Sequence, residues 1–151
     1  MLESLRERAI RRERMDGEDL PAAELAQAYR RLRTLNRLFA AAGPIRCGVG
    51  RLWIDAGRPT RLSVLDVGAG SGDVNRALLR WADRNRVELT IRLVDRREEA
   101  CREAMRLFRG EKRVAVERGD LFDLPERSAD IVTAAQFVHH FGSDELPGVI
   151  R

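Results

Sequence analysis

Apolar residues recur at helical spacing along the first third of the chain. This spacing predicts a short amphipathic helix over residues 2–14, which a polar run at residues 16–19 interrupts. It also predicts a longer helix from residue 21 until Gly43 and Pro44 stop it, and a third over residues 45–56. The longer helix has one apolar face, formed by Leu25, Tyr29, Leu32, Leu35 and Phe39. We expect these helices to pack against a sheet or to cover a ligand site.

The pattern changes after Arg61, where short β-branched runs alternate with amphipathic stretches. Strands are predicted over residues 62–67, 87–94, 113–117 and 129–135. Helices are predicted over residues 73–85 and 97–108, and another begins at Ser143. Alternating strands and helices of this size indicate an α/β fold, in which a parallel sheet carries helices on both faces.

Length and composition agree with one globular domain. A chain of 151 residues with 44% hydrophobic and 34% charged residues can bury one core. No apolar run approaches the roughly 18 residues that a membrane-spanning helix requires, and the Arg- and Glu-rich start does not resemble a signal peptide. Cys47 and Cys101 lie in unrelated contexts, so we expect reduced thiols, no disulfide and no metal site. These features favour a cytoplasmic protein.

The net charge of +4 is concentrated near the N-terminus. Residues 1–61 hold 13 Arg and 8 acidic residues, whereas residues 62–151 hold 15 basic and 16 acidic residues. Acidic residues interleave with the N-terminal arginines, and no aromatic residue lies among the first arginine clusters. A solvated helix face therefore explains this charge better than a nucleic-acid surface does.

The segment Asp66-Val67-Gly68-Ala69-Gly70-Ser71-Gly72-Asp73 connects the first predicted strand to the helix that follows it. Its glycines allow a tight turn and a close approach to a ligand, because they lack a Cβ. The next helix points free N–H groups toward the same place. A dinucleotide fingerprint would need a glycine where Asp73 stands, which counts against a nicotinamide or flavin cofactor. Asp66 and Asp73 suit a ligand with an amino group and a sulfonium better than a pyrophosphate.

This segment resembles the first motif of class I S-adenosylmethionine-dependent methyltransferases, and the likeness extends from about residue 62 to the end of the chain. The resemblance implies a Rossmann-like sheet with the strand order 3-2-1-4, and S-adenosylmethionine as the cofactor. It implies that the methionine and ribose part of the cofactor is lined by Asp66, Gly68, Ala69 and Gly70. It also implies that Gly72 lets the following helix pack close.

Two further acidic residues match this family in their order along the chain. Asp95 ends the second predicted strand, where the family places an acid that accepts both ribose hydroxyls. Asp120 follows the third strand, where a family aspartate receives the adenine amino group and the next residue, here Leu121, packs on the ring. Each acid alone is also explained as a helix cap. Together they fall where the ligand crevice of such a sheet lies.

The segment after the fourth predicted strand begins at Gln136 and is expected to face the methionine end of the cofactor and the substrate. His139 is the candidate general base for a hydroxyl acceptor, because imidazole titrates near neutral pH; His140 is more simply a solvated or locally bonded residue. The arginine-rich helices with Asn36-Arg37 resemble a bacterial subgroup that acts on small molecules and is distantly similar to the quinone-biosynthesis methyltransferases. The resemblance implies methylation of a small molecule at oxygen or carbon.

The sequence divides into a helical segment over residues 1–60, a candidate lid, and an incomplete S-adenosylmethionine-binding domain over residues 61–151. The family sheet has seven strands, and the sequence ends soon after the fourth, which predicts a fragment or a chain that a partner completes. A catalytically silent cofactor-binding module is therefore an alternative, as is a nucleic-acid-binding protein that uses residues 1–61. A nicotinamide-dependent oxidoreductase is less favoured, because the glycine spacing differs. The oligomeric state is not indicated.

Overall fold

The structure, a computed structural model, describes residues 21–135. Two helices come first, α1 (Ala22–Leu38) and α2 (Ala42–Asp55). Strands and helices then alternate in the order β1 (Arg61–Val67), α3 (Asn75–Asn85), β2 (Glu88–Asp95), α4 (Glu98–Leu107), β3 (Val114–Arg118) and β4 (Ile131–Thr133). A single 3-10 turn over Leu121–Asp123 lies between β3 and β4. The predicted α/β alternation is confirmed.

The four strands form one parallel sheet in the order β3-β2-β1-β4, as predicted. The chain adds β2 and β3 on one side of β1 and then returns to the other side for β4. Val64 pairs with Ile91 of β2 and with Ile131 of β4, so these three side chains share one face of the sheet. Because the strand order reverses between β1 and β4, a ligand crevice is expected at the carboxyl ends of these strands.

Three helices, α2, α3 and α4, cover the face of the sheet to which Val64 and Ile91 belong. The apolar residues of α3 recur on one side of the helix, and Leu78 is completely buried against the sheet. Burial of a side chain of this size stabilises the fold by roughly 1.5–3 kcal/mol. Trp53 of α2 meets Trp81 of α3 edge to face, with ring centroids 5.4 Å apart. These contacts hold α3 against both the sheet and α2.

The opposite face of the sheet is covered by the segment between β3 and β4. Its apolar cluster joins Leu65, Val67 and Val94 of the strands to Leu121, Leu124 and Ala129. Within residues 21–135 this cluster contains no residue of an α-helix. On the same face Val132 of β4 is 59% exposed, and the outer edge of β4 pairs with no strand in the described part of the chain.

The predicted break between the first two described helices is wrong by several residues. α1 ends at Leu38 and not at Gly43, and a turn with a left-handed φ of 51° at Ala40 follows. Pro44 lies in the first turn of α2 and does not end a helix. The physical reason is that the first N–H groups of a helix have no helical partner, so proline removes no hydrogen bond there.

The predicted apolar face of α1 is only half correct. Leu25 and Tyr29 are buried and pack with Ala100 of α4. Leu35 and Phe39, however, are 49% and 75% exposed. The pattern shows which residues are apolar, but it does not show how far along the helix a packing partner extends.

The fourth strand is shorter than predicted, because only residues 131–133 pair with β1. Just before it, the Asp130 carboxylate accepts hydrogen bonds from Ser63 N and Ser63 Oγ, at 2.7 and 2.6 Å, instead of continuing the ladder. The helix predicted from residue 73 begins at Asn75. The helices predicted at residues 2–14 and from residue 143 lie outside the described residues. None of the helices in the described part has the length and apolar content that crossing a membrane requires.

Gly72 provides a test of the packing between the start of α3, β2 and α4. It has a φ of +67°, and a Cβ there would overlap the Leu93 side chain and lie 3.2 Å from Phe108 Cε2. We expect Gly72→Ala to lower the free energy of unfolding by about 2–5 kcal/mol, since left-handed strain and overpacking add together.

The matched control is Gly110→Ala, because Gly110 has a φ of +83° and nothing lies within 4 Å of its added Cβ. This variant should lose only about 1–2 kcal/mol. Urea denaturation measures both variants. Equal losses would show that close packing at Gly72 does not contribute.

Candidate functional site

The loop from β1 into α3 lies against the carboxyl end of β2. Its glycines at 68, 70 and 72 all have positive φ, between 57° and 67°, a conformation that other residues rarely adopt. The turn brings the Ala69 N–H to the Val94 carbonyl oxygen, 3.1 Å away. Backbone of the loop is thereby held close to β2, at the crevice expected from the strand order.

Asp95, the last residue of β2, holds this loop with its side chain. Its Oδ2 accepts a hydrogen bond from the Gly70 N–H at 2.8 Å, and its Oδ1 accepts one from the Arg97 N–H at 2.9 Å. The residue is half-buried, and each carboxylate oxygen can accept a second hydrogen bond. Asp95 can therefore bind two donors of a ligand that lies beside the loop.

Asp66 lies at the end of β1, beneath the loop, and only 1% of it is exposed. Asn75 Nδ2 donates to its Oδ2 at 2.6 Å, and Thr133 Oγ1 donates to its Oδ1 at 2.7 Å. Burial raises the pKa of this carboxyl to about 6, although the two donors oppose the rise. Asp66 thus faces protein groups rather than the open surface of the loop.

Asn75 and Thr133 are site residues that the sequence reasoning missed. Asn75 is completely buried in the first turn of α3, and its Oδ1 has no hydrogen-bond partner among the described residues. A polar residue on the side of the helix that carries Leu78 and Leu79 is the signal that identifies it. Thr133 offers no such signal, because threonine is common in strands.

Helix α1 lies over the loop. The ring of Tyr29 is buried beside Gly70, where an added Cβ would come within 3.5 Å of Tyr29 Cε1. Asn36 Nδ2 donates to both oxygens of Asp73, at 3.3 and 3.4 Å. Burial raises the pKa of Tyr29, and the negative charge of Asp95 adds to the rise. The sequence identified Tyr29 only as part of an apolar face, because its position beside the loop depends on how α1 packs.

An ion-pair cluster joins α1 to α4. Glu103 of α4 is 4% exposed, and its Oε1 lies 2.7 Å from Arg106 Nη1 on the same helix and 3.6 Å from Arg30 Nη1 on α1. A buried carboxylate is unfavourable without such partners. The cluster therefore favours the position of α1 over the loop.

Asp120 lies at the same edge of the sheet, because the backbone after β3 bonds to the Asp95 carbonyl there. Its Oδ1 accepts a hydrogen bond from the Phe122 N–H at 3.2 Å, and its Oδ2 lies 3.3 Å from Arg96 Nε. Leu121 packs against the apolar cluster of the sheet. The structure thus places Asp95 and Asp120 at the same edge of the sheet as the loop, and their roles toward a cofactor stay predictions. Gln136 and His139 lie outside the described residues, so their roles remain predictions.

The carboxylates around the loop favour a ligand that carries positive charge. Asp73 and Asp95 both raise the pKa of Asp66, so this carboxylate lies in the field of two other negative charges. The two free acceptor positions of Asp95 also suit neighbouring hydroxyl groups. Ribose hydroxyls and a cationic methionine end are both present in S-adenosylmethionine, so the residues of this site fit that cofactor.

The sequence model of a family described as "Methyltransferase domain" matches residues 64–151, which is more than half of the chain. The chain belongs to this methyltransferase family. The predicted class I assignment of the methyltransferase domain, its Rossmann-like fold and its cofactor, S-adenosylmethionine, are confirmed. A comparison with curated proteins finds no match.

Solved structures share the fold of this methyltransferase domain. A protein from Methanococcus maripaludis, assigned as an S-adenosyl-L-methionine-dependent methyltransferase, is 17% identical with a TM-score of 0.57 over 78% of this chain and 53% of its own. A SAM-dependent methyltransferase from Aquifex aeolicus is 18% identical with a TM-score of 0.51, and the match covers 82% of this chain and 66% of that one. The CurJ carbon methyltransferase is 19% identical with a TM-score of 0.56, and the match covers 80% of this chain and 35% of that one. The matched part of this chain therefore spans about one third to two thirds of the length of these structures.

The buried carboxylate of Asp66 predicts a specific pH dependence of stability. Since its pKa is raised from 3.8 to about 6, the folded state holds this proton more tightly than the unfolded chain does, and stability falls as the pH rises between these values. Asn does not titrate, so only the wild type loses this stability as the pH rises. The free energy of unfolding of Asp66→Asn minus that of wild type should therefore increase by about 2–3 kcal/mol between about pH 4 and pH 7.

Asp130→Asn is the control of opposite sign. Hydrogen bonds from Ser63 lower the pKa of Asp130, so this variant should lose stability at neutral pH and recover relative to wild type as the solution becomes acidic. Denaturant titration at several pH values measures both differences. A pH-independent difference for Asp66→Asn would contradict the burial of a titrating carboxyl at this position.

Proposed function

We propose that this methyltransferase domain transfers the methyl group of S-adenosylmethionine to a small-molecule acceptor, at oxygen or at carbon. The observation that carries the proposal is the unit of loop and strand end in which the Gly70 and Arg97 N–H groups hold the Asp95 carboxylate. This unit offers acceptors for two hydroxyl groups beside a close backbone turn. Both features support a nucleoside ligand at the carboxyl end of the sheet.

Each predicted site residue has a role in the proposed complex. Asp95 accepts the ribose hydroxyls, Asp120 accepts the adenine amino group, and Leu121 packs on the adenine ring. Around the methionine and ribose part lie Gly68, Ala69, Gly70 and Gln136, with Asp66 beneath them. Gly72 lets α3 begin close to β2. The Leu93 and Phe108 side chains support this role, because they occupy the space that a Cβ at position 72 would need.

S-adenosylmethionine, when bound, supplies a methyl group that is already electrophilic because its sulfur is a sulfonium. The protein then needs to hold the acceptor atom in line with that methyl group and to exclude water, an effect worth up to about 7–11 kcal/mol. For a hydroxyl acceptor we assign His139 as the base that removes the proton. A carbon acceptor that is already acidic needs less help from such a base.

We also propose that residues 1–60 act as a lid over the cofactor-binding domain of residues 61–151. The position of Tyr29 beside Gly70 and the hydrogen bonds from Asn36 to Asp73 support this role. The Arg30 side chain that contacts Glu103 at 3.6 Å is 50% exposed, and Glu103 has a closer partner in Arg106 at 2.7 Å. Helix α1 can therefore move away from the loop without leaving the buried Glu103 carboxylate unpaired.

A catalytically silent cofactor-binding module is the second candidate, because the contacts of Asp95 support binding of a cofactor and do not by themselves require transfer of its methyl group. Transfer of a labelled methyl group to any acceptor would exclude it. Nucleic-acid binding through residues 1–61 is less favoured and would show an affinity that falls steeply with salt. We place the protein in the cytoplasm, with a small-molecule substrate and no membrane or nucleic-acid partner.

Binding of S-adenosylhomocysteine, measured by isothermal titration calorimetry on the purified chain, tests the cofactor site. Asp95→Ala should weaken binding by at least about 100-fold, because two charge-assisted hydrogen bonds are worth roughly 1.5–3 kcal/mol each. Asp95→Asn, which keeps the side-chain volume, should also bind more weakly.

Asp55→Ala is the matched control, since it removes an exposed carboxylate that pairs only within α2. This variant should bind like wild type. The proposed function would be overturned if wild type binds no S-adenosylhomocysteine, or if Asp95→Ala binds as tightly as wild type while its melting temperature shows that it is folded.

A further inference from the structure

We propose that Asn75 and Thr133 are positioning residues that keep Asp66 ionised beneath the glycine loop, and that this buried anion strengthens binding of a cationic cofactor without touching it. The inference rests on the proposed function. Asn75 and Thr133 both lie outside the family motif. Their proposed role explains why the Asp66 carboxylate lies under the site although it is too buried to contact a ligand.

The three residues join three separate elements at one point. Asp66 is near the end of β1, Asn75 is the first residue of α3, and Thr133 is the last residue of β4. Each carboxylate oxygen of Asp66 accepts one hydrogen bond, at 2.6 Å from Asn75 Nδ2 and at 2.7 Å from Thr133 Oγ1. Both donors stabilise the charged form of the carboxyl over the neutral form.

The other charged groups that act on Asp66 oppose its ionisation. Asp95 at the end of β2 and Asp73 in the loop are both negative and both raise its pKa, as does burial itself. The described residues supply it with hydrogen-bond donors from α3 and β4, but no positive charge is among the causes that lower its pKa. Asp66 is therefore poised near neutral pH, and its charge depends on two hydrogen bonds.

Asn75 supports a role for this cluster beyond filling the core. It is completely buried on the packed side of α3, and its Oδ1 has no partner among the described residues. An orphaned buried acceptor destabilises a fold by about 1–3 kcal/mol. Asn75 carries this cost at a position where leucine or alanine would pack, and the hydrogen bond from its Nδ2 to Asp66 offsets it.

A buried anion of this kind couples cofactor binding to protonation. A positively charged ligand bound above Asp66 lowers the pKa of this carboxyl. By linkage, the protein with Asp66 ionised binds that ligand more tightly than the protein with Asp66 protonated, by the same factor as the change in the acid dissociation constant of Asp66. S-adenosylmethionine carries a sulfonium charge that S-adenosylhomocysteine lacks. Loss of the Thr133 donor should raise the pKa of Asp66 and weaken binding of the sulfonium form more than binding of the product.

The test uses Thr133→Val, which removes the hydroxyl and keeps the shape, and Thr133→Ser, which keeps the hydroxyl. Ser63→Ala is the matched control. It also removes a hydroxyl of the β1–β4 region that donates to a carboxylate, here that of Asp130, but Ser63 lies on the face of the sheet opposite to Asp66. The titration of Asp66 is followed by carboxyl carbon NMR in the free protein. Affinity for S-adenosylmethionine is measured as the ratio to wild type at each pH, which cancels the titration of the ligand itself.

We expect Thr133→Val to titrate about one pH unit higher than wild type, while Thr133→Ser and Ser63→Ala titrate as wild type does. Near about pH 6.5 the Thr133→Val affinity should fall several-fold, and near about pH 8.5 it should return to within about twofold, because Asp66 is ionised again. S-adenosylmethionine should lower the pKa of Asp66 in wild type. Asn75→Leu should act in the same direction as Thr133→Val.

A pH-independent loss of affinity in Thr133→Val, or an unchanged pKa of Asp66 in that variant, would overturn the inference. In both cases wild type still binds the cofactor, so the proposed function stands. Absence of cofactor binding by folded wild type would overturn both. A return of affinity at high pH cannot be produced by a hydroxyl that serves only to stabilise the fold.

Discussion

The rest of the site depends on the close approach of the β1–α3 loop to the end of β2. The loop can lie there because its glycines adopt left-handed backbone angles and because position 72 has no Cβ to strike Leu93. Once it does, the Ala69 N–H reaches the Val94 carbonyl and the Gly70 N–H reaches the Asp95 carboxylate. A ligand site at this edge is thus a consequence of backbone packing, and side-chain chemistry is added to it.

The chemistry added is mainly negative charge held by neutral donors. Among residues 21–135, the donors to the Asp66 and Asp95 carboxylates are the side-chain amide of Asn75, the hydroxyl of Thr133 and the backbone N–H groups of Gly70 and Arg97. Neutral donors orient a carboxylate without cancelling its field, whereas a salt bridge would cancel most of it. Such a site remains attractive to a cation, which agrees with a sulfonium cofactor and with the methyltransferase family to which the chain belongs.

Sequence periodicity predicted the parallel sheet, and the family resemblance predicted its strand order and the position of Asp95 and Asp120 at one edge of it. They were insufficient where a long-range contact decides the outcome. The burial of the apolar face of α1 depends on its partner, since Leu25 and Tyr29 pack with Ala100 of α4 whereas Phe39, just beyond the end of α1, is exposed. The role of Thr133 depends on which strand lies beside β1, and a single threonine in a strand does not reveal that. Asn75 was also missed, although a polar residue on the apolar side of a predicted helix is a signal that could have identified it.

The most direct test of the account is to follow backbone amide NMR signals of the chain during titration with S-adenosylhomocysteine. Because the Gly70 and Arg97 N–H groups both bond to the Asp95 carboxylate, the account predicts that their signals shift most, together with those of Gly68 and Ala69. Shifts confined to the groove at the amino end of β3, around residues 109–112, would contradict it, as would a spectrum that does not change.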